Sequence, residues 1–338
     1  MKKALLVLLI VLVALPLFAG GGKEAAPAAK KAEVMTMKFG SSQPPKGGFM
    51  GEMAPNFAKY LEEESKGLIK VTVHHSGSLS SNERELLEMA QAGTVEFAMG
   101  ATTYILGWSP SMKVFDLPYL FESVDHFRDV TRGEVGKIME DECAQHGVVL
   151  LGQIIPGFRS IFNGKKPIKS IDDLKGMKIR SMESPVYIEM FKALGMLPTP
   201  MPSSELYTAL QTGVVDAGEN DPASVVSWGW IDVIKYYMLD RHTLSSNVLV
   251  MNKAKFDALP QPLQNAVRKA SIRAVDYNLD YIVGAWDDSM KKIRAKGVTV
   301  VELADLKDFQ DRVAFMAEQY DKVIGKGIVG KVKAAAKK

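Results

Sequence analysis

From residue 34 onward, strand-like and helix-like patterns alternate along the chain, and this alternation constrains the fold more than any other feature. Apolar and polar side chains alternate around Met35, Met37 and Phe39, as they do in a half-buried strand. An apolar side chain then recurs at every fourth residue from 49 to 61, which marks one face of a helix. Similar pairs follow as far as residue 219, so the sequence predicts an α/β architecture with helices covering the sheets.

Local stop and start signals support this division into elements. Asn82 is a typical N-cap, and Gly93 is placed to end the helix that Asn82 begins. Ser184 followed by Pro185 predicts another helix start, with Gly195 as its stop. We expect short strands between these helices, at 95–99 and 214–219 among others.

One segment of the chain is echoed 120 residues later. Residues 85–96 and 205–216 share Glu, Leu, Gln, Gly and Val at equivalent positions, and each predicts a helix, a glycine stop and a strand. If they are equivalent units of two similar lobes, the strand ends at 100–102 and 220–222 are counterparts. Ligands of open α/β sheets bind at such carboxyl ends, so an interlobe cleft is expected. Chance similarity between two ordinary helix–strand units is the alternative.

Residues 262–296 predict one long helix with few breakers. At 1.5 Å per residue it would span ~50 Å, enough to brace two lobes. The chain would then cross between the lobes several times and form discontinuous domains. We predict the following boundaries: 34–156 plus 246–285 for lobe I, and 157–245 plus 286–325 for lobe II.

The N-terminal residues predict export. Residues 1–19 combine Lys2 and Lys3, an apolar run too short for a membrane span, and a small-residue exit at Ala19. Residues 20–33 form a low-complexity tether. No cysteine stands at the processing junction, so the sequence does not support a lipid anchor, and we expect a periplasmic protein. Residues 326–338 form a basic tail.

Charge and motif content exclude several classes of function. The net charge is +3, but the terminal lysines supply more than that, and residues 34–325 carry −5, without the excess of a nucleic-acid binder. Signatures of metalloproteases, serine hydrolases and nucleotide binders are missing. The five histidines are scattered, and Cys143 is expected to be buried and inert. We therefore predict a protein that is not an enzyme and has no metal or cofactor.

Two arginines are the strongest candidates for ligand binding. Arg180 ends a predicted strand just before a helix, and Arg159 lies in an extended, largely apolar segment. A guanidinium matches a carboxylate with two parallel hydrogen bonds and keeps its charge when desolvated. The alternative is that each arginine pairs with an internal carboxylate.

Asn220 follows the strand predicted at 214–219. Its amide offers both a donor and an acceptor to a bound solute, or it forms a local turn. Asp221, before Pro222, is predicted to be a helix N-cap, and Glu219 is open to either role.

The chain resembles the DctP-type extracytoplasmic solute-binding proteins of tripartite ATP-independent periplasmic (TRAP) transporters. The likeness runs from about residue 36 to 325 and is carried by four segments: Gly-Phe-Arg-Ser at 157–160, Lys-Lys-Pro-Ile-Lys-Ser-Ile-Asp-Asp-Leu-Lys-Gly-Met-Lys-Ile-Arg at 165–180, Pro-Thr-Pro-Met-Pro at 198–202, and Glu-Leu-Tyr-Thr-Ala-Leu-Gln-Thr-Gly-Val-Val-Asp-Ala-Gly-Glu-Asn at 205–220. The resemblance implies a two-lobed periplasmic-binding fold with a long helix spanning both lobes, a small organic acid as ligand, and a TRAP membrane permease as partner.

The resemblance also implies roles for particular residues. The family's selectivity arginine falls on Arg180, a second cleft arginine on Arg159, and the amide at the strand end on Asn220. Glu83 is expected to accept hydroxyl hydrogen bonds opposite the arginines, or else to be a simple helix-start acid. Further candidates for substrate binding are Asn163, Ser184, Glu219 and Tyr207.

The ligand implied is a sugar acid, especially a hexuronate, bound by a monomer. Residues 183–185 and 236–243 resemble members that bind such acids, whereas Gln43 and the run Gly-Glu-Asn-Asp at 218–221 depart from the usual pattern. A C4-dicarboxylate or a 2-oxo acid would use the same arginine. An exported hydrolase or lyase and a structural surface protein are the remaining alternatives.

Overall fold

The computed structural model describes residues 33–43, 49–244, 246–325 and 327–336, with side chains described for all of these except 49–51 and 283. The strands and helices below all belong to the unit that begins at Val34. The predicted signal peptide at 1–19 and all but the last residue of the tether lie outside the described residues.

The elements follow the alternating order predicted from the sequence. The strands and helices of the described chain have these bounds: β1 Met35–Gly40, α1 Phe49–Glu64, β2 Ile69–His74, α2 Glu83–Ala92, β3 Phe97–Ala101, α3 Val124–Arg132, α4 Glu134–Gln145, β4 Val148–Ile154, β5 Ser160–Asn163, β6 Lys178–Ser181, α5 Pro185–Ala193, β7 Leu197–Pro200, α6 Ser203–Thr212, β8 Ala217–Asn220, α7 Pro222–Ser227, β9 Tyr236–Met238, β10 Asn247–Asn252, α8 Lys253–Asp257, α9 Gln261–Ala295, β11 Thr299–Val301, α10 Lys307–Val313, α11 Phe315–Ile324 and α12 Ile328–Ala335. Short 3-10 segments include Thr102–Ile105 and Pro110–Asp116, both after β3.

The strands form two mixed sheets with the same core topology. The first sheet has the order β2-β1-β3-β10-β4, and the second has the order β11-β9-β5-β8-β6-β7. In the first, β1, β2 and β3 are parallel and β10 runs antiparallel to β3. In the second, β6, β7 and β8 are parallel and β5 runs antiparallel to β8. Each sheet is therefore built on one β-α-β-α-β unit closed by an antiparallel strand.

The internal echo in the sequence corresponds to these two units. Gly93 and Gly213 end α2 and α6 in the left-handed conformation, with φ of 79° and 76°. Glu96 and Asp216, which also align in the echo, accept a hydrogen bond from the backbone N–H of Lys38 and Lys178, on the neighbouring strands β1 and β6. The carboxyl ends of β3 and β8 are topological counterparts, as the sequence predicted.

Two predicted strands begin later in the structure than the hydrophobic pattern indicated. The strand predicted at 95–99 starts at Phe97, and the strand predicted at 214–219 starts at Ala217. In both cases the residues after the glycine still bond back to the preceding helix: Val95 N–H donates to Met89, and Val215 N–H donates to Ala209. These apolar residues therefore close a helix end instead of opening a strand.

The long helix predicted at 262–296 is α9. It packs against α1 and β4 of the first sheet and against α7 and β11 on the side of the second sheet. At 1.5 Å per residue its 35 residues span ~52 Å. The chain leaves the first sheet after β4, returns to it at β10 and reaches the second again at β11. The lobe boundaries that we placed within these connections remain a proposal.

The basic tail is helical in its described part, which the sequence pattern did not predict. Ile328, Val329 and Val332 are buried on one face of α12, and the Val332 carbonyl lies 2.8 Å from Nε2 of His126. These apolar residues pack the helix against α3 and α4. Lys331 pairs with Glu134 of α4, and Lys333 is exposed. Cys143 is buried, as predicted, and burial raises the pKa of its thiol to about 12.

Candidate functional site

A polar cavity lies at the carboxyl ends of the parallel strands. Its space, including the part open to solvent, is about 430 Å³. Side chains from both sheets contribute to it, as expected for the switch points of open α/β sheets. The described residues that line it are Gln43, Glu83, Ala101, Tyr104, Pro156, Arg159, Met182, Ser203, Asn220, Ser224, Trp228 and Asn247.

Arg159, on the segment before β5, is bound to a carboxylate of the protein. Its Nε and Nη2 donate to the two carboxylate oxygens of Glu219 at 2.5 and 2.6 Å, and its Nη1 donates to Oδ1 of Asn220 at 2.8 Å. Burial alone would lower the pKa of Arg159, but Glu219 outweighs burial and raises it. For Arg159 the structure therefore shows the alternative considered from the sequence, an internal ion pair. Arg159 lines the cavity while it is paired with Glu219.

Two further buried groups complete a balanced network around Glu219. The Nδ1 atom of His242 lies 2.8 Å from Asp240, and its Nε2 atom lies 3.5 Å from Glu219. Burial lowers the pKa of His242, but Asp240 and Glu219 outweigh that effect and raise it to about 9. Burial likewise opposes ionisation of Glu219, yet Arg159 and His242 hold its pKa below the usual range. Two cations therefore face two anions.

Arg180 lies at the end of β6 and has no such partner. It is fully buried, at 0% exposure, and donates from Nε to the Met201 carbonyl at 2.8 Å and from Nη2 to the Ser203 hydroxyl at 3.2 Å. Among the described residues its Nη1 has no hydrogen-bond partner, and the nearest carboxylate oxygen, on Glu219, is 3.9 Å away. Because Ser203 lines the cavity, this guanidinium lies directly behind the cavity wall. Burial lowers the pKa of Arg180.

Glu83 contributes a carboxylate from the side of the first sheet. It is the first residue of α2, and Asn82 caps that helix by accepting from the N–H of Arg84 at 2.9 Å, as predicted. One Glu83 oxygen accepts from Ser42 and from the Gln43 amide, at 3.2 and 3.1 Å. The other accepts from the Ala101 N–H at the end of β3, at 3.0 Å. Burial raises the pKa of Glu83, and these three donors oppose that rise.

Asn220 lies at the cavity, at the end of β8. Its Oδ1 accepts from Nη1 of Arg159 at 2.8 Å and from the N–H of the next residue, Asp221, at 2.9 Å. Among the described residues its Nδ2 group has no acceptor, which leaves that donor available to a bound molecule. Asp221 is the N-cap of α7, as predicted, and accepts from the Ser224 N–H.

Arg180 is not among the lining residues, and three further sequence candidates do not line the cavity either. Asn163 lies at the opposite end of β5, where its side chain accepts from the N–H groups of Lys165 and Lys166 and so stabilises a turn. Ser184 caps α5 and donates to the buried Asp116 at 2.7 Å. Tyr207 packs on the hydrophobic cluster around Trp230. Glu219 is also absent from the lining, because it lies behind Arg159.

Several lining residues were missed from the sequence. Five of them belong to no motif and reach the cavity through the tertiary fold: Tyr104, Met182, Ser203, Trp228 and Asn247. Asn247 begins β10, and its place at the cavity follows from the antiparallel pairing of β10 with the end of β3. Gln43, which the sequence marked only as a departure from the usual pattern, holds Glu83.

The cavity is suited to recognition of a polar anion. Within the described ranges no group of three or more His, Cys, Asp or Glu side chains is arranged to hold a metal ion. The described helices include none that is both long and apolar enough to cross a bilayer. What converges instead is a buried guanidinium, an amide donor, hydroxyl groups and hydrogen-bond acceptors.

Comparison with known proteins gives a consistent result. Residues 39–325 match the DctP family, described as bacterial extracellular solute-binding protein, family 7. The 2,3-diketo-L-gulonate-binding periplasmic protein YiaO of Escherichia coli (strain K12) is 32% identical over 258 residues, 76% of this chain and 78% of that protein.

Solved structures are also similar. A TRAP periplasmic solute-binding protein from Roseobacter denitrificans with bound β-D-glucuronate superposes with a TM-score of 0.84 at 30% identity, covering 88% of this chain and 99% of that one. The sugar acid binding protein DctPAm from Advenella mimigardefordensis strain DPN7T, in complex with galactonate, has a TM-score of 0.86 at 28% identity, covering 91% and 99%. These likenesses confirm the predicted resemblance and the two-lobed α/β fold.

Proposed function

We propose that this chain, which belongs to the DctP family of bacterial extracellular solute-binding proteins, captures a sugar acid such as a hexuronate and delivers it to a TRAP membrane permease. The observation that carries the proposal is the state of Arg180, a buried cation behind the cavity wall whose Nη1 has no hydrogen-bond partner among the described residues. The nearest counter-charge is Glu219, 3.9 Å away and already engaged by Arg159, so an anionic ligand would complete the pairing of this buried cation.

Binding without chemistry follows from the roles of the residues. The Arg180 guanidinium takes the carboxylate of the acid, while the Asn220 amide and the Ser203 hydroxyl fix its orientation. Arg159 supports Asn220 and is itself held in place by Glu219. Closure of the lobes removes water and so strengthens each charged contact. The closed state is favoured only by the ligand's higher affinity for it.

The relatives support the choice of acid. The Roseobacter protein holds β-D-glucuronate, the Advenella protein holds galactonate, and the E. coli relative is named for 2,3-diketo-L-gulonate. All three are monocarboxylates that carry hydroxyl or carbonyl groups along the carbon chain. The cavity offers hydroxyl, amide and carboxylate groups that suit such a molecule.

A ligand panel tests the proposal. The protein is titrated by calorimetry with hexuronates, aldonates, C4-dicarboxylates and 2-oxo acids, after a thermal-shift survey of the same compounds. We expect a sugar acid to bind tightest, and we expect no turnover of it. Micromolar affinity corresponds to about 8 kcal/mol. If no acid of the panel binds, the proposed function is wrong, and if a dicarboxylate binds tightest, the ligand class is wrong.

The arginine assignment is tested separately with Arg180→Ala. Truncating one member of a buried charged pair costs about 2–5 kcal/mol, so affinity for the best acid should fall roughly 30-fold to several thousand-fold. Arg180→Lys keeps the charge but loses the planar fork, and we expect an intermediate loss. A loss of less than threefold in the alanine variant, with its circular dichroism unchanged, would contradict the assignment.

Export and permease delivery complete the proposal. The signal-like segment at 1–19 supports secretion to the periplasm, and the junction without cysteine supports a product free of lipid. Determining the N-terminus of the protein recovered from the periplasm tests this directly. A mature chain that begins at or near Gly20 is expected, whereas recovery of intact residues 1–19 would contradict it.

A further inference from the structure

The charges that line the cavity are unevenly distributed between its two sides. Of the described residues that line it, Glu83 is the only acid and Arg159 the only arginine or lysine. Arg159 is engaged by Glu219, so Arg180 behind Ser203 is the cation that a ligand carboxylate would meet. Glu83 comes from the first sheet, whereas Arg180 comes from the second. One end of the site therefore favours an anion, and a carboxylate of the protein stands at the other.

Glu83 is held firmly in this position. Its two oxygens accept from two N–H donors, the Ala101 backbone and the Gln43 amide, and from the Ser42 hydroxyl. Hydrogen bonds donated by N–H groups favour the ionised form of a carboxyl group. Because Glu83 begins α2, the helix dipole favours the same form. Burial raises the pKa of Glu83 and opposes these effects, so the test below is run at pH 8, where the ionised form is favoured most.

No cation among the described residues on this side compensates for a second ligand carboxylate. Arg84, the next residue, directs its guanidinium to the Tyr104 carbonyl and to Glu183, at 3.5 and 3.7 Å. The Gln43 amide nitrogen donates to Ser42 and to Glu83, which leaves its carbonyl oxygen as the polar atom for a ligand. Glu83 and Gln43 therefore present acceptors, which suit the hydroxyl groups of a sugar and oppose a carboxylate, while Tyr104 and Asn247 add an uncharged hydroxyl and an uncharged amide.

We propose that Glu83 is a specificity-determining residue that restricts the site to acids with a single carboxylate and rejects dicarboxylates. The inference rests on the proposed function, because it requires the ligand carboxylate to bind at Arg180. A dicarboxylate of the same length would place its second charge against Glu83. Apposed like charges in a desolvated site cost several kcal/mol, so the dicarboxylate should bind roughly 100-fold more weakly.

Three compounds with one carbon skeleton provide the test: D-gluconate, D-glucuronate and D-glucarate. Gluconate ends in an alcohol, glucuronate in an aldehyde that closes to a ring, and glucarate in a second carboxylate. Calorimetric titrations at pH 8 keep every ligand carboxylate ionised. We expect the wild-type protein to prefer the tighter-binding monocarboxylate over glucarate by roughly 100-fold, and a preference below about tenfold overturns the proposal.

Glu83→Gln tests whether this residue is responsible. The substitution keeps the shape of the side chain and removes its charge, so the preference for monocarboxylates should shrink by tenfold or more. Glu85→Gln is the matched control: Glu85 lies on the same helix, is exposed and bonds to Ser80, and its loss should leave the preference unchanged. If Glu83→Gln does not fold, Glu83→Ala carries the same expectation. An unchanged preference in the folded Glu83 variant overturns the proposal.

The two proposals fail in different ways. If none of the three compounds nor any other acid of the panel binds, the function itself is wrong. If gluconate or glucuronate binds and glucarate binds nearly as well, the function stands and the role of Glu83 is wrong.

Discussion

Replacing Glu219 by glutamine should destabilise the fold strongly, although it changes only one atom. The carboxylate is completely buried, accepts two short hydrogen bonds from Arg159 and lies 3.5 Å from the protonated imidazole of His242. Glutamine keeps one acceptor, but its NH₂ group then faces the donors of Arg159. Two buried cations lose their shared counter-charge in the same step.

Breaking a buried ion pair by removing one partner costs about 3–5 kcal/mol, because the remaining charge stays in a medium of low dielectric. Whole proteins are stable by about 5–15 kcal/mol, so this one change would remove a large fraction of the total. Two cations are involved, which places the expected loss in the upper part of the range.

Equilibrium unfolding in urea at pH 7, followed by circular dichroism, measures the effect. Asp141→Asn is the control, because Asp141 forms an exposed helical pair with Lys137, and its loss should leave the unfolding midpoint unchanged. A Glu219→Gln variant within about 1 kcal/mol of the wild type would refute the view that Glu219 balances two buried cations. Adding the cognate acid should stabilise this variant as well, provided that Arg180 still binds it.

Two further predictions concern the elements around the site. Burial raises the pKa of Asp116 to about 7, so between about pH 4 and 7 the folded protein holds a proton that the unfolded chain has released, and stability falls as the pH rises through that window. Asp116→Asn removes this dependence. Between pH 5 and pH 7 the free energy of unfolding of the wild type should therefore fall by about 2 kcal/mol more than that of the variant. Urea titrations at the two pH values measure this, and an equal change in both proteins would contradict it. Gly218→Ala would place a methyl group 2.7 Å from the Phe162 ring, and overpacking of this kind costs about 1–3 kcal/mol. Gly107→Ala is the control, because no atom lies within 4 Å of the methyl group added there; a thermal midpoint of Gly218→Ala as unchanged as that of the control would show that the ring can move.

The architecture could be predicted from the sequence because it depends on local signals. Asn82 and Ser184 cap the starts of α2 and α5, and Gly93 ends α2 in the left-handed conformation, as their residue types predicted. The echo between 85–96 and 205–216 predicted that the two sheets share a unit. Strand starts were less accurate, since the hydrophobicity of Val95 and Val215 does not reveal that their N–H groups bond back to a helix.

The site was harder to predict because its members come from distant parts of the chain. Arg180 and Arg159 are both arginines near strand ends. Only the structure shows that Glu219 bonds directly to Arg159 and leaves Nη1 of Arg180 without a hydrogen-bond partner among the described residues. Asn163 has the right chemistry but lies at the far end of β5, three residues from Ser160 along an extended strand. Tyr104, Ser203 and Trp228 carry no pattern that would distinguish them from ordinary core or loop residues.

A crystal structure of the protein with its tightest-binding acid tests the central claim most directly. We expect one oxygen of the ligand carboxylate to lie within about 3 Å of Nη1 of Arg180, with Arg159 still bound to Glu219. A carboxylate placed elsewhere in the cavity, with Nη1 of Arg180 turned to a group of the protein, would contradict that claim.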